Sequence, residues 1–347
     1  MSWLRNIALL PWWLLQLLTQ AKSFQSNPLI GSPLANRLGL HVARYTLAHG
    51  LAALRRGNLA LLAHPDYRRN FQRDGFLLVP NALPEDQFNA LLQAVESWQG
   101  TARECHQGDT ITRRLFMDRK ARAQIPAVDT AIRDRRLQGL MRWSAGRHRS
   151  PLFHLERVVR AHTDQVPDPQ RHLHSDTFHS TVKCWLYLDD VDDSNGTFTY
   201  VPGSHRFTRK RLRWEYAKSI QGRHLADRYA RKGSLRVAET DLASLGLPPP
   251  VSFPVPANTL LIADTHGFHA RGDSDLGVSR RAIFGYARSN PFDPWPGIGL
   301  PWVARLESWL MAQNLKRLDR RAARRGDRAS WFQVVNSDFR SLTGADR

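Results

Sequence analysis

The chain has 347 residues, of which 42% are hydrophobic and 10% aromatic, enough apolar material for a packed core, so a wholly disordered chain is excluded. Its 50 Lys and Arg residues outnumber 31 Asp and Glu residues, and the formal charge of +19 favours an anionic partner such as lipid, nucleic acid or a phosphate-bearing molecule. The two cysteines, Cys105 and Cys184, are too few for a disulfide framework or a cysteine-based zinc site.

The first predicted element is an apolar run from Ile7 to Leu18 that contains Pro11. It is short for a transmembrane helix, which needs about 20 apolar residues. A secretory signal peptide and a helix packed on the protein itself are two further interpretations. We favour a helix lying in the membrane interface, because the run and its flank carry tryptophans suited to headgroup depth: Trp3, Trp12 and Trp13.

Helical periodicity continues from His41 to Leu62. The pattern changes at Phe71, after which Phe76 to Val79 is predicted to be a short strand. A helix follows, with Pro84 in its first position and an apolar face formed by Phe88, Leu91, Leu92 and Val95.

From about Val158 to Arg288 the chain consists mostly of short apolar runs separated by turn residues. Four runs are predicted to be strands: Val182 to Leu188, Thr197 to Val201, Thr259 to Ala263 and Ala282 to Ala287. Many short strands predict a β-sandwich or barrel. The basic stretch Arg206 to Arg236 interrupts them and is predicted to be a partly helical insertion.

The last predicted element is a basic amphipathic helix after residue 301. Its apolar stripe comprises Trp302, Leu306, Trp309, Leu310, Leu315 and Leu318. Its basic border comprises Arg305, Lys316, Arg317, Arg320, Arg321, Arg324 and Arg325. This pattern is typical of membrane-surface helices, and equally of a helix that packs its stripe on the core.

Candidate metal ligands lie at the start of the β region, in His172-Leu173-His174-Ser175-Asp176. If the segment is a strand, His174 and Asp176 share a face and supply two ligands of a 2-His-1-carboxylate iron site, with His172 as a rival ligand or a supporting residue. A second histidine is available from a distant segment, where His266 and His269 follow a predicted strand. Arg280 or Arg281 can bind a dicarboxylate through two hydrogen bonds.

These segments resemble the phytanoyl-CoA dioxygenase family of iron and 2-oxoglutarate oxygenases. The resemblance covers roughly Phe71 to Pro291 and includes SNGTFTYVPGSHRF from Ser194 and DTHGFHARG from Asp264. It implies a mainly β fold with flanking helices, built on a double-stranded β-helix or jelly-roll core. Together with the helical patterns at the two ends of the chain, it predicts three parts: residues 1–70, a helical segment that could associate with a membrane; residues 71–300, the double-stranded β-helix oxygenase domain; and residues 301–347, the basic amphipathic helix and tail.

The resemblance implies that iron(II) binds to His174, Asp176 and His269, and that Arg280 binds the distal carboxylate of 2-oxoglutarate. His269 is preferred to His266 because it precedes Ala-Arg-Gly and lies eleven residues before Arg280. O2 would be the second cosubstrate. Because Asp176 is retained, hydroxylation is favoured over halogenation.

The resulting hypothesis is a cytoplasmic dioxygenase on the inner face of a membrane that hydroxylates a C–H bond of an anionic, lipid or lipid-linked substrate. Iron(II) and 2-oxoglutarate are cytoplasmic compounds, which argues against export. The alternative is a jelly-roll protein without catalytic activity that binds a membrane surface or nucleic acid. Nucleic acid is the less favoured partner because no recognisable nucleic-acid motif accompanies the charge.

Overall fold

The structure is a computed structural model that describes residues 2–162, 165–288 and 290–342. The side chains of residues 2–7, 301, 304 and 305 lie outside the described part, and with them the predicted contributions of Trp3 and Arg305.

The described residues form twelve α-helices: α1 (Ser2–Leu17), α2 (Pro33–Arg37), α3 (Leu40–Asn58), α4 (Pro65–Asp74), α5 (Glu85–Ser97), α6 (Arg119–Gln124), α7 (Pro126–Ile132), α8 (Arg135–Ala145), α9 (Arg209–Ile220), α10 (Arg228–Arg231), α11 (Glu239–Leu245) and α12 (Pro301–Ala323). Short 3₁₀ helices span Ala60–Leu62 and Pro169–Arg171.

The same residues form eleven strands: β1 (Phe76–Val79), β2 (Gln99–Gln107), β3 (Thr110–Phe116), β4 (Leu152–Arg160), β5 (Val182–Tyr187), β6 (Phe198–Tyr200), β7 (Val251–Ser252), β8 (Leu260–Asp264), β9 (His269–Arg271), β10 (Ser279–Ala287) and β11 (Phe332–Asp338). A large antiparallel sheet has the order β1-β8-β5-β10-β4-β3-β2-β11, and a small antiparallel sheet has the order β7-β6-β9. The predicted mainly β class with flanking helices and a jelly-roll core is confirmed.

Alternation along the strands divides the large sheet into two faces. On β5, Cys184 and Leu186 join a core shared with helices α5, α7 and α8. Trp185 and Tyr187 point the other way and pack with residues of the small sheet, such as Phe198. The molecule is thus layered as helices, large sheet and small sheet, and the space between the two sheets is where the predicted ligands lie.

The predicted elements of the middle region are found with small shifts in their ends. β1 has the predicted bounds, and β5, β6, β8 and β10 overlap the four predicted strands. Pro84 is the residue before helix α5 instead of its first residue, because its ψ of 146° is extended. The basic insertion contains α9 and α10, as expected for a partly helical segment.

The terminal segments also carry the expected helices. The apolar N-terminal run lies in α1, with Pro11 inside the helix, and the described residues contain no helix long and apolar enough to cross a membrane. In the C-terminal segment, β11 follows α12 and pairs with β2 in the large sheet. The division at residues 70 and 300 stays a prediction.

Candidate metal centre

The backbone brings the two halves of the predicted site side by side. His174 and His269 face each other as a hydrogen-bonded pair, in which each backbone N–H donates to the carbonyl of the other at 3.0 Å. Asp176 is held two residues further on, where its N–H donates to the Thr265 carbonyl at 2.9 Å. Because β9 pairs with β6, this arrangement adds His174 to the edge of the small sheet.

The three side chains converge on one point. Asp176 Oδ1 lies 3.8 Å from His174 Nε2 and 3.9 Å from His269 Nε2, and a set of ligand atoms from the three residues fits within 4.8 Å. Each imidazole is oriented from behind: Nδ1 of His174 bonds the His172 carbonyl at 2.8 Å, and Nδ1 of His269 bonds the Gly267 carbonyl at 2.9 Å. Nδ1 therefore carries the proton and Nε2 is the free ligand atom.

The protonation states suit a cation. Burial lowers the pKa of His269 to about 4 and holds the pKa of His174 well below its usual range, so both rings are neutral at pH 7. Burial by itself raises the pKa of Asp176, but Lys183 and the two histidines outweigh it and hold that pKa well below its usual range. Lys183 Nζ contacts Asp176 Oδ2 at 2.7 Å. Two neutral imidazoles and one carboxylate on a single side are the donor set that iron(II) oxygenases use.

The structure separates the ligand alternatives that the sequence left open. Residues 172–176 form no regular strand, since only His174 makes a bridge, so the expected alternation over this segment is wrong. His172 is exposed and supports His174 only through its carbonyl. His266 is buried with both ring nitrogens engaged, Nε2 by the Tyr45 hydroxyl at 3.1 Å and Nδ1 by the Thr177 carbonyl at 2.8 Å.

A cavity of about 410 Å³ opens over the three converging side chains. Arg280, on β10, lines it and is buried, with its guanidinium 5.5 Å from the centre of the Tyr187 ring. Arg280 Nη1 donates to the Gly196 carbonyl, and no described carboxylate lies within ion-pair distance of it. Its positive charge is therefore not neutralised by a carboxylate of the described residues, and an anionic ligand in the cavity would supply the missing charge.

Arg281 lies on the opposite face of β10. It is bound to Asp189, with Nη2 2.6 Å from Oδ1, and to Glu96. Its guanidinium also donates to the Phe339 carbonyl at 3.0 Å. These partners hold Arg281 outside the cavity, so Arg280 is the one of the two arginines that lines it.

Several cavity residues were missed by the sequence analysis, which predicted no strand between Gln99 and Phe116. Arg114 of β3 lies between the rings of Phe284 and Trp331, at 4.1 and 4.8 Å, and pairs with Glu156 of β4. The alternation of Thr110, Thr112 and Arg114 is the sequence signal for β3, but it is weak because apolar residues do not occupy one face consistently.

Comparison with known proteins gives one family match. The profile described as Phytanoyl-CoA dioxygenase (PhyH) matches residues 71–237, a segment that holds His174 and Asp176. The match extends over 167 of the 347 residues, so this segment is similar to the phytanoyl-CoA dioxygenase family. The profile match agrees with the resemblance predicted from the sequence.

Individual relatives are more distant. Ectoine dioxygenase of Bordetella bronchiseptica is 27% identical over 170 residues, which cover 43% of this chain and 52% of the relative. The chain thus spans about half the length of the curated relatives it matches.

Solved structures also match, among them SnoN and HygX. The non-haem α-ketoglutarate-dependent epimerase SnoN from nogalamycin biosynthesis matches with 18% identity and a TM-score of 0.42, over 65% of this chain and 82% of its own. HygX from Streptomyces hygroscopicus, with nickel and 2-oxoglutarate bound, matches with 20% identity and a TM-score of 0.40, over 65% and 87%.

Proposed function

We propose that this protein is an iron(II) and 2-oxoglutarate-dependent dioxygenase that hydroxylates a C–H bond of an anionic substrate. The observation that carries the proposal is the convergence of His174, Asp176 and His269 on one point of a cavity. The wall of this cavity also holds the buried Arg280, which forms no ion pair with any described carboxylate. A metal site and a carboxylate site in one cavity are the two parts that this chemistry needs.

The protein residues have separate tasks. His174, Asp176 and His269 would hold iron on one side and leave the side toward the cavity open. Arg280 would bind the distal carboxylate of 2-oxoglutarate through two N–H groups. When bound, iron supplies the oxidation in which R–H, O2 and 2-oxoglutarate give R–OH, succinate and CO2.

Aromatic side chains form one part of the cavity wall. Trp185, Phe198, Phe284 and Tyr286 line the cavity from the two sheets. Met311 of α12 also lines it and accepts a hydrogen bond from the Tyr286 hydroxyl at 3.6 Å. These side chains would provide an apolar surface for the part of the substrate that carries the reacting C–H bond.

The decisive experiment is an anaerobic titration of the metal-free protein with iron(II) and then 2-oxoglutarate, followed by visible absorption. We expect a metal-to-ligand charge-transfer band that is absent in His174→Ala. The matched control is His172→Ala, because His172 is exposed and supports His174 only through its backbone carbonyl. Absence of the band in folded wild-type protein would contradict the proposal and favour a jelly-roll protein without catalytic activity.

The charge of the cavity supports an anionic substrate. Lys183 and five arginines line it, against two carboxylates, Asp176 and Glu156. A positive cavity of this kind raises the local concentration of anions and penalises cationic substrates.

We further propose that α1 and α12 attach the protein to an anionic membrane surface. On α12, Trp309 and Leu310 are 56% and 51% exposed, and on α1 Trp12 is 56% exposed. Basic residues of α12 and the turn after it border this apolar surface: Lys316, Arg317, Arg320, Arg321, Arg324 and Arg325. Exposed tryptophan beside Lys and Arg is complementary to the interface of an anionic bilayer.

The membrane proposal is tested by co-sedimentation with vesicles of phosphatidylglycerol and phosphatidylcholine. Binding should fall in Trp309→Ala with Leu310→Ala, and should be retained in Leu61→Ala, which removes a fully exposed leucine that belongs to neither α1 nor α12. The membrane proposal would be refuted if the wild-type protein did not bind these vesicles at low salt but bound duplex DNA with strong salt dependence.

A further inference from the structure

A second cleft lies beside the metal centre and is not part of the cavity above it. Its volume is about 340 Å³, and it is formed where the segment after α1 crosses the loop that follows Asp176. Lys22, Thr177 and His179 line it, as do Lys232 and Arg288. Its walls are held together by the Gln25 N–H, which donates to the Arg231 carbonyl at 3.1 Å.

The charge of this cleft is not balanced. Three cationic side chains line it, Lys22, Lys232 and Arg288, and none of its lining residues is an aspartate or glutamate. Lys22 Nζ donates to the backbone carbonyl of Asp176, so the cleft directly adjoins a predicted metal ligand. Among the described residues, no carboxylate lies within 4.0 Å of the charged groups of Lys232 or Arg288.

Most arginines of the neighbouring cavity, unlike Arg288, form an ion pair with a carboxylate. Arg103, Arg114 and Arg271 are paired with Asp319, Glu156 and Asp168, at 2.6, 2.5 and 2.7 Å. Those side chains form ion pairs that rigidify the wall.

Only Arg280 and Arg288 of the cavity arginines lack a carboxylate partner within the described part of the chain. Arg280 is buried and suits the cosubstrate, whereas Arg288 is exposed and lines both the cavity and the cleft. Arg288 is therefore available to an anionic group in either space.

Neutral donors are also present in the cleft. The hydroxyl of Thr177 is buried and makes no hydrogen bond with any described residue, although the residue is only 3% exposed. Ser23 and Ser26 lie on the opposite wall. A buried hydroxyl without a partner costs free energy, and a ligand oxygen in the cleft would satisfy it.

We propose that this cleft binds a phosphate group of the substrate, with the rest of the molecule extending past Arg288 into the cavity over the metal. Phosphate carries up to two negative charges and three acceptor oxygens, which match the cations and hydroxyls present. The inference rests on the proposed function, since it assigns the cavity to the reacting part of the same molecule. Lys22 and Ser23 lie outside residues 71–237, so the phosphate site is partly built by a segment beyond the family match.

The test is calorimetric titration with inorganic phosphate in the presence of saturating 2-oxoglutarate, which occupies the site around Arg280. The Lys232→Gln and Arg288→Gln double variant should bind phosphate at least about tenfold more weakly, as expected when charged hydrogen-bond donors are lost. The matched control is the double variant Arg119→Gln and Lys120→Gln, which removes two charges from the exposed surface of α6. Neither of these residues lines the cavity or the cleft. Equal phosphate affinity in the two double variants would overturn the proposal.

The source of the phosphate is distinguished by two further ligands, glycerol 3-phosphate and vesicles of phosphatidic acid in phosphatidylcholine. If the binding of glycerol 3-phosphate depends on Lys232 and Arg288, the natural ligand is a soluble phosphate ester. If the binding of phosphatidic acid vesicles depends on these two residues, it is a lipid headgroup. If neither depends on these residues, the cleft is not a phosphate site. The iron and 2-oxoglutarate band of wild-type protein is measured separately, so failure of the proposed function is distinguished from failure of the phosphate site.

Discussion

Gly267 should be among the most sensitive positions of the site, because no side chain fits there. A β-carbon built on Gly267 would lie 1.8 Å from the Tyr200 hydroxyl oxygen, 2.4 Å from Tyr200 Cζ and 3.0 Å from Ser204 Oγ. Gly267 does not have a positive φ, so the cost of a side chain is steric. Its carbonyl also orients His269, which ties this steric problem to the metal site.

The magnitude follows from how little Tyr200 can move. Its ring is fully buried, and its hydroxyl donates to the Asp264 carbonyl at 2.8 Å. Overpacking in a core costs about 1–3 kcal/mol, and a contact this short against a fixed ring places Gly267→Ala near 3 kcal/mol. Relief of the clash requires the Gly267 backbone to shift, and His269 would then move away from His174 and Asp176.

The assay is urea denaturation of Gly267→Ala, combined with the iron and 2-oxoglutarate absorption band. The control is Gly50→Ala in helix α3, where nothing lies within 4 Å of the new methyl group, so it should stabilise the protein by about 0.5–1 kcal/mol. Tyr200→Phe in the Gly267→Ala background should restore part of the lost stability, because it removes the nearest clashing atom. A Gly267→Ala protein as stable as wild type with an unchanged band would refute this reasoning.

Three further predictions concern binding and pH. Arg280→Ala should weaken 2-oxoglutarate binding about 10- to 100-fold in the spectral titration, since a charged hydrogen bond contributes about 1.5–3 kcal/mol; an unchanged affinity would remove Arg280 from the site. Iron(II) at 100 times its Kd should raise the free energy of unfolding by about 2.7 kcal/mol, and a chelator should reverse the effect. Burial lowers the pKa of His49 and of His205 to about 4, so the unfolded chain binds more protons than the folded chain between pH 6.5 and 4. Stability in metal-free buffer should therefore fall with acidification over that range, by at most about 1.4 kcal/mol per pH unit for each histidine. His49→Gln should reduce this dependence of stability on pH. If the variant and the wild type showed the same dependence, His49 would not contribute to it.

The positions of strands were predicted best where a short local pattern of residues identifies the strand. Strands such as β1 and β8 are continuous apolar runs bounded by turn residues, so their positions follow from composition alone. Strands β2 and β3 could not be predicted in this way. Their side chains toward the cavity include Arg103 and Arg114, which are polar because they line a site and not a core.

The sequence by itself indicated the resemblance to the family, the jelly-roll class and a short set of candidates for the metal and the cosubstrate. Residue type alone does not separate His266 from His269, or Arg280 from Arg281, and the preference for His269 and Arg280 came from the family resemblance. The tertiary structure decided their environments. His266 is bonded to Tyr45 from α3, and Arg281 to Glu96 from α5, partners more than 180 residues away in the chain.

The cleft beside the metal centre was likewise determined by tertiary structure alone. Lys22, Lys232 and Arg288 come from three distant segments, and each by itself is one basic residue among 50. Composition established that the protein carries excess positive charge. Only the packing of the N-terminal segment against the loop after Asp176 shows where that charge has no internal partner, because ion pairing depends on distances in space and not on separation along the chain.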